Sequence, residues 1–322
     1  MSSPTPSPDA LSRPETPLEP KKRRHIPTYI RVFIAGLILW GATIFAIWST
    51  KDTTLVPSVI FIGSFLVPVT FVLWIIKREE QTGAARDGTE SALTPRLIVA
   101  AFFGAGLAGV VIAAILETYL LAHHPLLFYI GVGIIEELVK LALVWALASG
   151  LPYYTVRDGM LLGATVGFGF AAFESAGYAF NTIVQAHAIN LQTILETEIT
   201  RAILAPVGHG LWTALVGGAL FAGAKNGKLR VTWSLVGWLV VVMCLHILWD
   251  VSAGLSVWFT YLATHTTPVI TAIQGGRIPN PTEVQARFDF MFDWLLLGLV
   301  AVIGLILARI MWHRHRAVPQ TA

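Results

Sequence analysis

Eight long apolar runs dominate this sequence, at residues 29–49, 55–76, 97–119, 125–148, 158–184, 203–224, 232–254 and 289–312. Each is near or above the ~20 residues that a helix needs to cross the hydrocarbon of a bilayer. In lipid every backbone amide must be bonded within its own segment, so runs of this length fold as helices. The expected fold is an all-α, polytopic integral membrane protein with about eight transmembrane helices. Charged residues make up only 13% of the chain and hydrophobic residues 55%. A soluble protein carries about 25% charge, so a soluble globule is excluded. The one cysteine, Cys244, lies inside an apolar run. That excludes a disulfide framework and a cysteine metal knuckle.

Polar segments divide the rest. Residues 1–28 are rich in proline and end in the basic cluster Lys21-Lys22-Arg23-Arg24, which reads as a disordered cytoplasmic tail. Residues 29–94 hold two helices and a loop, and 95–263 hold the membrane core. Residues 264–288 form an extracytoplasmic loop, and 289–322 form the last helix and a basic tail. Placing the N-terminus in the cytoplasm and alternating sides puts 17 of the 22 Lys and Arg residues inside and four, Lys51, Arg201, Arg277 and Arg287, in outer loops. That bias follows the positive-inside rule and puts both termini in the cytoplasm. The basic residues flank apolar runs rather than forming one face, so no nucleic-acid partner is expected; the partner is the lipid bilayer.

Ionisable residues inside the spans are costly and mark function. The fourth run carries Glu136, Glu137 and Lys140, the fifth Glu174, the sixth His209, and the seventh His246 and Asp250. On the insertion scale the four carboxylates and the lysine together cost roughly 12–17 kcal/mol unless paired or hydrated. Glu136 and Glu137 lie one turn before Lys140, within its reach. The two glutamates point about 100° apart, so one can face a cavity while lysine holds the other. His246 and Asp250 share a helix face. Counted at about 1.5 Å per residue, Glu136, Glu174, His209 and His246 fall at one level, in the middle-to-outer half of the bilayer. Glycines on the same runs, among them Gly163, Gly167, Gly169, Gly210 and Gly217, allow close helix approach.

This set suits acid–base chemistry with water. A glutamate tuned by a neighbouring acid and lysine can act as general base. Two histidines can stabilise an oxyanion or, with a carboxylate, bind a metal that activates water. The metal donors would come from His209, His246, Glu174 and Asp250, and Zn2+ is the ion that fits. A metal-free, glutamic-type hydrolase uses the same residues. The rival class is a proton-coupled transporter, in which such residues form a relay; no inverted repeat of spans supports it.

Four elements in order carry a family resemblance. They are Glu136-Glu137-Leu138-Val139-Lys140, the segment Gly167-Phe168-Gly169-Phe170-Ala171-Ala172-Phe173-Glu174, His209, and His246 with Asp250. Together they resemble the PrsW family of intramembrane proteases over about residues 95–260. Related prenyl-protein and bacteriocin-immunity membrane proteases carry arginine one residue beyond the lysine position; Lys140 and Asp250 resemble the PrsW side. The resemblance implies a bacterial plasma-membrane endopeptidase that cuts a membrane-anchored anti-sigma factor near the outer face. It implies Glu136 and Glu137 as the catalytic acid pair, with Glu136 activating water. Lys140, Glu174, His209, His246 and Asp250 complete the site.

Overall fold

The computed structural model describes residues 26–83, 91–124 and 127–314. The expected N-terminal tail, with its basic cluster at 21–24, and the last eight residues lie outside the described residues. Among the described residues the chain is helical, with no strands. Helices α1 (Thr28–Thr50) and α2 (Val56–Gly83) form a hairpin. The next span is composite. A short α3 (Pro95–Val99) runs through a π-helical stretch at Ala100–Ala105 into α4 (Gly106–Leu121). Then follow α5 (Phe128–Ala148), α6 (Val156–Ala186), α7 (Leu191–Leu204), α8 (His209–Ala222) and α9 (Trp233–Asp250). The chain closes with α10 (Ser252–Ala263), α11 (Ile270–Gln274) and α12 (Glu283–Arg314).

Seven helical stretches are long and apolar enough to cross a membrane, and the protein is a multi-pass membrane protein. The expected eighth is α5. It has the length, 21 residues, and is as apolar as the others, but it is set apart by three charged side chains at its centre, Glu136, Glu137 and Lys140. It is nonetheless packed within the bundle, against α4, α6, α8 and α9.

Two boundaries differ from the sequence expectation. The sixth run begins earlier, as one 32-residue candidate span from Leu191 to Ala222. It is interrupted by a 3-10 turn at Ala205–Val207 that contains Pro206. Proline supplies no amide hydrogen and clashes with the preceding turn, so the helix breaks there and restarts at His209. The seventh run ends at Asp250, and Val251 starts a new direction in which α10 packs on α12.

Helix α6 is the centre of the bundle, with every residue from Asp158 to Ala172 buried. Its start is fixed by Thr155, whose hydroxyl accepts from the amide of Asp158. The buried Asp158 carboxylate then accepts from Ser91 Oγ at 2.7 Å and Ala92 N at 3.2 Å, tying the start of α6 to the segment before α3.

The α6–α8 contact is made by backbone. Gly159, Gly163 and Gly167 recur every four residues and so form one stripe. A Cβ on them would strike the carbonyl oxygens of Gly217, Thr213 and His209, in that order. The neighbouring face of α6 repeats the device, with Gly169 against the carbonyl of Phe102 in the π-helical stretch. Without a hydrophobic drive between helices in lipid, association depends on this kind of close van der Waals approach. Aliphatic and aromatic side chains on α1, α4 and α12, such as Ile38, Tyr119 and Leu295, remain exposed and present a lipid-facing surface.

Replacing Gly167 by valine forces α8 outward at His209. Overpacking of this kind costs about 1–3 kcal/mol. Gly167→Val is expected to lower the thermal unfolding midpoint and to impair activity. Gly177→Val, where a Cβ meets nothing within 4 Å, is expected to leave the midpoint near wild type.

Candidate active site and metal-binding group

The polar residues of α5, α6, α8 and α9 meet at one place. On α5, Glu136, Glu137 and Lys140 are all buried, with Lys140 fully inaccessible. Lys140 Nζ lies 2.8 Å from Glu137 Oε1 and 3.0 Å from Glu136 Oε2. It also donates to Nδ1 of His209 at 2.8 Å, and its ammonium sits over the ring of Phe170, 4.2 Å from the centroid. One cation thus bridges α5, α6 and α8.

The two histidines differ in what holds them. With its Nδ1 accepting from Lys140, His209 carries its proton on Nε2 and donates to Glu174 Oε2 at 3.0 Å. His246 donates from Nδ1 to Glu137 Oε1 at 2.9 Å. Its Nε2 is left facing Glu136 Oε2 at 3.7 Å and Asp250 Oδ2 at 3.6 Å. Trp212, fully buried on α8, packs on both rings, with centroids 4.9 Å from His246 and 5.4 Å from His209.

One atom each from Glu136, His209 and His246 falls in a group whose members all lie within 4.8 Å of one another. These donors fit a divalent metal of the zinc type, which takes imidazole nitrogen and carboxylate oxygen. Ligands about 2.0–2.1 Å from a tetrahedral ion stand a little over 3 Å apart. His246 Nε2 stands 3.7 Å from Glu136 Oε2 and 3.6 Å from Asp250 Oδ2, near that length and too far for hydrogen bonds. The His246–Glu137 contact matches the carboxylate–histidine pairing that orients metal ligands from behind. Lys140 already supplies a cation to His209 Nδ1 and Glu136, so an ion using those two atoms would leave Lys140 to Glu137.

Of the four donors expected from sequence, His209 and His246 enter the group, and the carboxylate in it is Glu136. Glu174 lies on the far side of His209, where Arg201 of α7 binds its Oε2. Asp250 remains beside His246. Glu136 and Glu137 diverge as their spacing requires. Glu136 lines a cavity, whereas Glu137 is turned into the protein against Lys140 and His246.

Three participants were not expected. Arg201, assigned by charge counting to an outer loop, lies on α7; besides Glu174 it donates from Nε to Ser175 Oγ at 2.8 Å, and it stacks on Tyr178. Ser175 is the second. Glu117 of α4 is the third, and it lines the same cavity as Glu136. Glu117 falls inside the third apolar run, so a stricter inventory of that run finds it. Arg201 is detectable only through its helix, which opens with the cap of Asn190 on Thr193 N.

Residues 94–273 match the family model of the PrsW family intramembrane metalloproteases. No curated protein and no solved structure matches the chain. The match spans more than half of the chain and contains every helix that contributes to the site. The chain belongs to the PrsW family of intramembrane metalloproteases and is an intramembrane endopeptidase.

Proposed function

We propose that this protease cuts a membrane-anchored protein of the anti-sigma-factor type near the outer face of a bacterial plasma membrane, with water activated at Glu136. The observation that carries the reading is the position of Glu136. It is the carboxylate of the acid pair that lines the cavity, and its Oε2 stands within 3.8 Å of Lys140, His209 and His246. The substrate class follows from the family resemblance. The outer location follows from the charge bias of the loops.

In this reading Glu136 accepts a proton from the attacking water, and Lys140 stabilises the carboxylate before and after. Glu137 keeps the His246 ring turned so that Nε2 faces the site. Arg201 holds Glu174, and Glu174 holds His209. In a metal-dependent version of this reading Zn2+, the ion these donors suit, would be held by His209, His246 and Glu136, and would supply the acidified water and a Lewis acid for the scissile carbonyl in place of Glu136 as base. Helices α5, α6, α8 and α9 exclude bulk solvent, which strengthens each of these contacts. Asp250, level with His246 Nε2, completes the polar wall.

Three outcomes are expected. Glu136→Ala, assayed on a single-span anti-sigma substrate, lowers cleavage by roughly 10²–10⁴-fold, the range for loss of a general base; unchanged substrate patterns remove the main support for the reading. Purified enzyme loses activity in a zinc chelator and regains it with added Zn2+, whereas full activity without bound metal favours the glutamic mechanism. Arg201→Gln and Glu137→Gln each weaken metal affinity or turnover about 10–100-fold, as removal of a residue behind a ligand does.

Orientation has its own test. In a Cys244→Ala background, Thr266→Cys reacts in intact cells with a membrane-impermeant maleimide, and Asn226→Cys reacts only after lysis. The reverse pattern inverts the topology.

A further inference from the structure

A cavity of about 270 Å³ lies beside the site, between α4, α5, α6 and the C-terminal end of α9. Glu136 and Glu174 form its inner wall, with Glu117 of α4 and Asp250 of α9 beside them. At its mouth Phe128, Tyr129 and Tyr178 are exposed.

The charge of this cavity is one-sided. Four carboxyl groups line it, and among the described residues no Lys, Arg or His does. Two of the four have cations behind them, Lys140 for Glu136 and Arg201 for Glu174. Among the described residues Glu117 has no cation in reach, and Asp250 has only the His246 ring. Glu117 Oε1 and Asp250 Oδ2 are buried and accept no hydrogen bond, and the contact of Asp250 Oδ2 with His246 Nε2 is 3.6 Å long. A buried acceptor left unmade is costly. Native proteins satisfy nearly all of them, so two facing one cavity point to a donor that arrives with the substrate.

The walls narrow the choice of donor. Val110, Ala113 and Val132 supply apolar surface next to the acids. A small hydrated ion has no use for such a surface. The side chains of lysine and arginine do, because their methylene stems lie on apolar walls while their charged heads reach polar groups. The aromatic mouth favours the same guest, since ring faces attract cations.

We propose that this cavity receives a Lys or Arg side chain of the substrate, next to the bond that is cut, and that Glu117 selects it. The inference rests on the proteolytic reading above and adds to it a substrate class. Glu117 stands on α4, outside the Glu136, His209 and His246 group, so its part can be separated from the chemistry.

The test uses the full-length enzyme in vesicles and single-span substrates that differ at one position beside the cut, bearing Lys, Arg, Ala or Glu. Wild type is expected to prefer Lys or Arg over Ala by about 10-fold in kcat/KM, the size of one charge pairing. Glu117→Gln collapses that ratio to within about two-fold, and Glu117→Lys turns the preference toward Glu. A merely structural role for Glu117 lowers all substrates by one factor and leaves the ratio intact, which overturns the proposal. So does wild-type cleavage without preference, and in that case proteolysis itself stands. Binding of labelled Lys and Ala peptides to full-length Glu136→Gln protein gives a readout without turnover. A Lys preference that Glu117→Gln removes there supports the pocket even if wild type cleaves nothing, a result that would instead sink the proteolytic reading.

Discussion

A single buried ammonium organises this protein. Lys140 has no access to solvent, yet it meets Glu136, Glu137, His209 and the face of Phe170 at once. Charges placed in hydrocarbon persist only when paired and hydrogen-bonded. The helices carrying those partners must therefore approach α5 until the contacts close. The polar site is in this sense a packing constraint as well as a chemical one. It specifies which face of α5, α6 and α8 turns inward, a decision that the uniformly apolar flanks of these helices leave open.

Around that centre, each histidine is held by a carboxylate. Glu137 orients His246, Glu174 orients His209, and Arg201 orients Glu174. Trp212 fills the space between the two rings. The chain of support ends on α7, a helix that reaches outward to α2, where Ser64 donates to the buried Glu198 at 2.8 Å. The N-terminal hairpin thus joins the site through α7 as well as through the direct packing of α2 on α6, although it contributes no residue to the acid pair or to the histidines.

Much of this was legible in the sequence because the bilayer makes polar residues rare. Lengths of apolar runs gave the helices, and exceptions within the runs gave the candidate residues. Their convergence followed from counting depth along antiparallel helices. Other features were hidden for physical reasons. α5 carries three charges, more than any other span tolerates in its apolar stretch, because it carries the site. Arg201 counts as a loop charge until the break at Ala205–Val207 shows that α7 and α8 are one interrupted span. That Glu136 stands within 4 Å of both histidines depends on rotamers, and on Arg201 having taken Glu174. Neither is written in spacing. Glu117 sits near the end of its run, where a charge looks interfacial, and only the cavity it lines gives it a role.

The glycine stripe of α6 has a mechanical consequence. Where Gly159, Gly163 and Gly167 touch carbonyl oxygens of α8, no layer of side chains separates the two backbones. Rotamer changes are the means by which packed helices accommodate a guest, and the glycine stripe itself offers none. α6 and α8 must then travel together, carrying Glu174 and His209 as fixed points. Accommodation of a polypeptide falls to the helices that meet this pair through side chains, α4 and α9 above all, whose acids stand at the rim.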